Sequence, residues 1–291
     1  MQPMLANTYS DGSNRRPHYR RTLDLVHTEL LPRTYAEIGV ARGGTLSLVL
    51  PGTAAVAIDP KPRIHRPVPR SAKVFSMTSD EFFAAHDLRR LLGDRPVDVG
   101  FIDGMHLFEF ALKDFINLER HSSPDSVLLL HDCYPVSEVA ASREHSEAMG
   151  NWSGDVWKVI ACLKEHRQDL DVSVADIRPS GLGVVTGLDP TSTVLVDRFD
   201  EICRHYVPLD YGFLAEGKEE KLNRVDGDPR TVLSLLPARP YRRGNRALLR
   251  VGRDARRRRK RLAQGAVRLR TRTGRWLRRG ARKARRRLRP R

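Results

Sequence analysis

Tyr35-Ala-Glu-Ile-Gly-Val-Ala-Arg-Gly-Gly-Thr45 is the stretch that decides the fold. Tyr35 to Val40 reads as a short buried strand, and Ala41-Arg-Gly-Gly-Thr45 as a turn leading into a helix that runs through Leu50. Glycines at such a turn, here Gly39 and Gly43, let the backbone come close to a ligand, and the helix behind the turn would offer its N-terminus. Alone, Glu37-x-Gly39-x-x-x-Gly43-Gly44 is read equally well as an ordinary tight connection.

The next strand sharpens the reading. Thr53 to Asp59 is almost continuously apolar, as a strand covered on both faces should be. It ends in Asp59, twenty positions after Gly39. An acid there can accept hydrogen bonds from both hydroxyls of an adenosyl ribose; the plainer alternative is a strand-end Asp capping the turn before Pro60. Nicotinamide binding, which would make the chain a dehydrogenase, usually wants G-x-G-x-x-G, and here Ala41 follows Val40 where the second glycine is expected. Glu37 would repel a diphosphate but could organise a cationic sulfonium. Both features favour S-adenosylmethionine.

Outward from this pair, strands and helices alternate for about 150 residues. An amphipathic helix spans Arg20 to Leu31, with Leu23, Val26 and Leu30 on one face, and Pro32 ends it. Ala72–Phe75, Val97–Asp103 and Ser126–His131 are further strands. Helices are expected over Ser79–Leu92 (Ser79 as N-cap), Phe108–Arg120, Trp157–Arg167 and Val194–Tyr206. Val172–Ile177 and Gly183–Thr186 pair through the Arg178-Pro-Ser-Gly181 turn. The pattern predicts an α/β chain with a Rossmann-like, doubly wound, mostly parallel sheet. The expected organisation is a flexible leader (1–19), a catalytic domain (20–211), a linker (212–238) and an arginine-rich tail (239–291).

The stretch from Glu37 to Asp132 resembles the class I S-adenosylmethionine-dependent methyltransferase family, in its small O-methyltransferase-like branch. The matching pieces are Glu37-Ile-Gly-Val-Ala-Arg-Gly-Gly-Thr45, Ala57-Ile-Asp-Pro60, Phe101-Ile-Asp-Gly-Met-His106 and Leu129-Leu-His-Asp-Cys133. The resemblance implies a seven-stranded sheet with its last strand antiparallel. It implies that Glu37, Gly39 and Gly43 line the methionine part of the cofactor, Asp59 the ribose, and Met77, Thr78 and Ser79 the adenine, with Asp103 completing the set.

The chemistry is expected where two neighbouring strands end, because ligands of open α/β sheets lie at the carboxyl ends of strands. Asp103 and His106 follow the fourth strand; His131 and Asp132 follow the fifth. Two routes to an activated hydroxyl are open. A divalent cation held by Asp103 and Asp132 could lower the hydroxyl's pKa, or His106 could serve as general base. Metal-dependent relatives often carry Asp-Asn where this chain has Asp132-Cys133; His131 would then have to replace the asparagine, which favours a softer metal. The turn Asp103-Gly-Met-His106 lacks the Asn/Asp-Pro-Pro-aromatic pattern of enzymes that methylate base nitrogens. The polar segment from Tyr134 to Gly154 is too long for a simple connection. It is expected to cover the crevice, with Trp152 as an apolar wall and Trp157 packing its helix on the sheet.

Charge separates the chain into two parts. The net charge is +17, but Arg239 to Arg291 holds 25 Lys and Arg against Asp254 alone, a balance of +24 that leaves −7 for the rest. The tail has too little apolar surface to build a core. Its arginines suit phosphate contacts, while Leu248, Val251, Leu262, Leu269, Trp276 and Leu277 recur at near-helical intervals, as on an anionic membrane surface. Three cysteines without metal spacing, a polar start and no long apolar run predict a cytoplasmic protein, with the inner membrane face as an alternative station. The expected activity is O-methylation of a small-molecule or glycan hydroxyl. The alternative is a nucleic-acid-associated protein of the same fold, docking through its tail.

Overall fold

A computed structural model describes residues 18–145 and 152–236. The leader up to residue 17, residues 146–151 of the expected crevice cover, and the arginine-rich tail lie outside the described residues. Eight strands form one sheet: Thr34–Ile38 (β1), Ala54–Ile58 (β2), Ala72–Phe75 (β3), Val99–Ile102 (β4), Val127–His131 (β5), Asp171–Asp176 (β6), Leu182–Thr186 (β7) and Arg224–Asp226 (β8). Their order is β3-β2-β1-β4-β5-β7-β6-β8. The first five strands are mutually parallel, β7 runs antiparallel to both its neighbours, and β8 lies parallel to β6. The doubly wound, mostly parallel sheet with a late antiparallel strand is therefore as expected, with β8 added at the edge.

Side-chain alternation along the strands builds two cores. Ala36 and Ile38, Val56 and Ile58, and Leu128 and Leu130 face one way. Tyr35, Ala55 and Ala57, Val99 and Phe101, and Val127 and Leu129 face the other. Period-two geometry dictates this division, and it explains why these strands are apolar throughout. The first face is covered chiefly by Phe108–Arg120 (α4) and Trp157–His166 (α5), through Phe108, Leu112, Phe115, Trp157 and Ile160. The second is covered by Tyr19–Leu30 (α1), through Leu23, Val26 and Leu30, and by Pro229–Ser234, through Val232.

Several boundaries differ from the sequence reading, each for a local reason. The glycine turn does not enter an α-helix: only a single 3-10 turn, Leu46–Leu48, follows it. The expected helix over 79–92 is two helices, Ser79–Ala85 (α2) and Leu88–Leu91 (α3), because His86 is extended and Asp87 caps a new start. Thr78, not Ser79, is the N-cap of α2, in a capping box with Glu81. The closing helix likewise divides into Val194–Asp197 (α6) and Phe199–Tyr206 (α7).

The expected linker is the largest correction. Residues 211–236 are folded as Tyr211–Ala215 (α8), Lys218–Lys221 (α9), β8 and Pro229–Ser234 (α10). They bury Leu214, Leu222 and Val232 completely. The leader's end is ordered too. His18 caps α1 by accepting from the Arg20 amide, and Tyr19 is buried against Phe101 and His131.

Candidate active site

The chain reverses its winding between β1 and β4, and a crevice opens over the carboxyl ends of the strands there, where such sheets bind ligands. Its volume is about 880 Å³, enough for a nucleoside cofactor together with an acceptor. The walls come from the turn after β1, the ends of β2, β4 and β5, the start of α2, one side of α4, and Tyr19, Trp152 and Pro179-Ser180.

Among the predicted cofactor residues, Gly39, Asp59, Thr78, Ser79 and Asp103 line this crevice. Gly39 has φ of +90°, and a Cβ there would stand 1.9 Å from the Asp103 carbonyl oxygen, so the turns after β1 and β4 can touch only because it is glycine. Asp59 is committed to the backbone. One carboxylate oxygen accepts from the Val40 and Ala41 amides at 2.9 and 2.7 Å, the other from Lys61 at 2.7 Å. A carboxylate has about four acceptor positions, which leaves room for a ligand hydroxyl. The turn-capping role and the ribose role are thus compatible in one side chain.

Glu37, Gly43 and Met77 are not in the crevice wall. Glu37 is fully buried beneath it, where the Tyr35 and Thr45 hydroxyls donate to its two oxygens, each at 2.7 Å. Burial pushes its carboxyl up to about 8, against the lowering effect of those two hydrogen bonds. At neutral pH it is therefore largely protonated and offers little charge to a sulfonium. Its place is to tie β1 to the glycine turn through Thr45. Gly43 faces Ile64, and Met77 packs on the core; the neighbour Gly44 lines the crevice instead.

The β4 and β5 ends bring all four predicted catalytic and metal-binding side chains together. His131 Nδ1 lies 2.8 Å from Asp132 Oδ2 and 3.1 Å from Asp103 Oδ1. His106 lies between the same two acids, with Nε2 3.3 Å from Asp103 Oδ1 and Nδ1 3.3 Å from Asp132 Oδ2. The Ser180 hydroxyl donates to Asp132 Oδ1. Burial resists charging of both imidazoles, but the hydrogen bonds and charges of Asp103 and Asp132 outweigh it, so His106 is raised and His131 is raised well above the ordinary histidine value. Burial also resists ionisation of Asp103, and the two histidines reverse that and hold it below the usual carboxylate range. His106 and Asp132 have φ of +60° and +62°. Such left-handed backbone in non-glycine residues is uncommon and gathers at functional sites.

Trp152 and Trp157 divide as the sequence suggested. Trp157 is buried in the core. Trp152 lines the crevice, stacks on His106 at 5.2 Å between ring centroids, and donates its indole N–H to the Ser142 carbonyl at 2.6 Å. The sequence reading missed Tyr19, Arg20, Asp114 and Ser180. Tyr19 and Arg20 fall at the assumed leader boundary, and Ser180 is an unremarked turn residue. Asp114 alone carried a signal, being an acid on the face of α4 that Ala111, Leu112 and Phe115 make apolar.

The residues present fit an adenosyl cofactor. Asp59 keeps spare acceptor capacity at a strand end, and Asp114 leaves a buried carboxylate oxygen without a partner in the same crevice.

Residues 36–133 match a family model described as a methyltransferase domain. No curated protein matches the chain. Among solved structures it is similar to the O-methyltransferase TomG from Streptomyces achromogenes, in complex with SAM, at 15% identity. That match covers 59% of this chain and 80% of the other, with a TM-score of 0.45. It is also similar to the O-methyltransferase from Bacillus cereus in complex with SAH, at 14% identity over 62% of this chain and 84% of that one, with a TM-score of 0.42. The stretch that matches the methyltransferase-domain model runs from β1 to just past β5, and so includes the glycine turn, Asp59 and the Asp103, His106, His131 and Asp132 cluster.

Proposed function

We propose that this protein methylates a hydroxyl group of a small molecule or glycan. The observation that carries the reading is the interleaved Asp103, His106, His131 and Asp132 cluster at the crevice floor, roofed by Trp152. S-Adenosylmethionine supplies an electrophilic methyl group. Oxygen acceptors need a proton removed as the new bond forms, and this chain has the group to take it.

His106 is the proton acceptor. Its imidazole takes the acceptor's hydroxyl proton, and the imidazolium so formed lies between Asp103 and Asp132, which favour the charged ring. His131 and Ser180 hold the two acids in place. Trp152 and Tyr19 present apolar walls that keep water from the acceptor. Because His106 is raised, turnover should climb with pH through a midpoint above the ordinary histidine value, and His106→Ala should lose about 10²–10⁴-fold in kcat.

A specific observation favours a second route to the same product. The ligand atoms of Asp103, His131 and Asp132 lie within 4.8 Å of one another. Two carboxylates and an imidazole suit a divalent transition ion better than magnesium, and such an ion would lower the pKa of a hydroxyl bound beside it. Dialysis against EDTA separates the routes: unchanged turnover assigns the proton to His106, and loss restored by manganese or zinc assigns it to the ion.

The reading is tested by a screen of phenols, sugar alcohols and glycans with isotopically labelled methyl donor. Label appearing as a methyl ether supports it. Label found only on nitrogen or on nucleic acid overturns it, the latter in favour of docking through the basic tail. The tail's +24 charge would hold the enzyme at an anionic membrane surface, the cytoplasmic face included.

A further inference from the structure

Between β2 and β3 the chain gathers a charge that the chemistry above does not use. From Pro60 to Ser79 there are five Lys and Arg and no acid. Residues 1–238 carry −7 in all, so everything in them outside this stretch sums to −12. One basic segment is set into an otherwise acidic chain.

Local structure turns those cations outward. Residues 61 to 65 are exposed and half-buried in turn, as in extended chain, so Lys61 and Arg63 face solvent while Ile64 turns inward. Ile64 packs on the glycine turn, where a Cβ at Gly43 would stand 3.0 Å from it. The Arg63 amide donates to the Ala41 carbonyl at 2.8 Å, and the His65 amide to the Arg42 carbonyl at 3.3 Å. The segment is thus fastened to the turn that walls the crevice, which Ala41 and Arg42 line. Arg66 and Arg70, further along, are exposed too. Arg33, Arg143, Arg198 and Arg224 are each paired with a carboxylate, whereas no ion pair among the described residues holds Lys61, Arg63, Arg66 or Arg70.

Four such cations call for an anionic partner, and the neighbouring surface indicates its kind. Met105 lines the same crevice yet is 58% exposed. An exposed apolar side chain gains from an apolar phase and nothing from a phosphate. No aromatic ring lies between Pro60 and Val74 to stack on a base, as binding of single-stranded nucleic acid would want. Anionic headgroups over hydrocarbon satisfy both the cations and the methionine.

We propose that the face carrying Lys61, Arg63, Arg66 and Arg70 docks on an anionic lipid surface and brings the edge of the crevice, with Met105, against it. This goes beyond attachment through the tail: charge in the tail would hold the protein to such a surface in any orientation, whereas this face sets which way the crevice looks. The proposal is independent of which atom of the acceptor is methylated.

Acylation rates of single lysines, read by mass spectrometry on the full chain, test it. Lys61 reports on the docking face, and Lys221 is the reference, since it lies just before β8 while the basic segment leads into β3 at the opposite edge of the sheet. Vesicles of phosphatidylcholine with phosphatidylserine should slow Lys61 by about fivefold and Lys221 by less than about twofold, and high salt should remove the difference. Vesicles of phosphatidylcholine alone should slow neither. Replacing the three arginines together, Arg63→Glu, Arg66→Glu and Arg70→Glu, should abolish protection of Lys61 while the protein still sediments with anionic vesicles through its tail. Equal slowing of the two lysines overturns the proposal, as does an unprotected Lys61 in vesicle-bound wild type, and neither result needs a variant to fold. Failure of the wild type to sediment with anionic vesicles overturns it too. Protection of Lys61 by an oligonucleotide but not by anionic vesicles overturns it in favour of nucleic acid.

Discussion

Asp59 shows how one side chain can be legible and still hold something back. Its distance from Gly39 and its place at a strand end point to an adenosyl ribose. Sequence spacing cannot report that three backbone amides already bind the carboxylate, because those bonds depend on how the turn curls back. Glu37 is the opposite case. It reads as a charge facing the cofactor, but alternation along β1 puts it on the same face as Tyr35, whose hydroxyl reaches it. Its titration gives a prediction about stability. Between its ordinary value of 4.5 and its raised value of about 8, the folded protein keeps a proton that the unfolded chain has lost. Stability contributed by this group therefore falls as pH rises across that window, by up to about 1.4 kcal/mol per pH unit. Glu37→Gln removes the titration, so the stability gap between variant and wild type should shift in the variant's favour from pH 5 to pH 8 in denaturant melts. A gap independent of pH would mean that Glu37 is charged in the folded protein.

At the scale of elements, long periodic segments were readable and short ones were not. Phe108–Arg120 was expected over its whole length because its apolar face repeats for three turns. The helix expected after the glycine turn is absent because Leu46 to Leu50 is too short to propagate and is held instead by packing of Leu46 and Val49 on the sheet. The junction between Gly154-Asp155 and the His106 turn is invisible in sequence, since it joins residues almost fifty positions apart. Gly154 has φ of +57°, and a Cβ there would stand 1.8 Å from the His106 carbonyl oxygen; the next residue, Asp155, takes the Phe108 amide at 2.7 Å. Gly154→Ala should therefore displace the His106 turn. We expect at least a tenfold loss in kcat with affinity for S-adenosylhomocysteine within about threefold of wild type. Unimpaired turnover would show that this contact does not position His106.

For the whole molecule, the domain extends past the boundary suggested by polarity. Residues 212–236 look like a linker because their apolar positions are sparse, yet Leu214, Leu222 and Val232 are completely buried. Losing three such side chains forfeits roughly 1.5–3 kcal/mol each, comparable with the whole stability of an ordinary domain. A chain ended after residue 238 should keep its melting temperature within a few degrees, while one ended after residue 211 should fail to fold cooperatively. Equal melting of the two would make β8 and α10 dispensable. No helix among the described residues is long and apolar enough to cross a membrane.

The most direct test is calorimetry on the full chain with S-adenosylhomocysteine and, separately, with NAD, repeated on Asp59→Ala. We expect saturable heat with the adenosyl thioether, at least tenfold weaker binding by the variant, and none with NAD. Saturable heat with NAD and none with S-adenosylhomocysteine would overturn the assignment of the crevice to an adenosyl thioether.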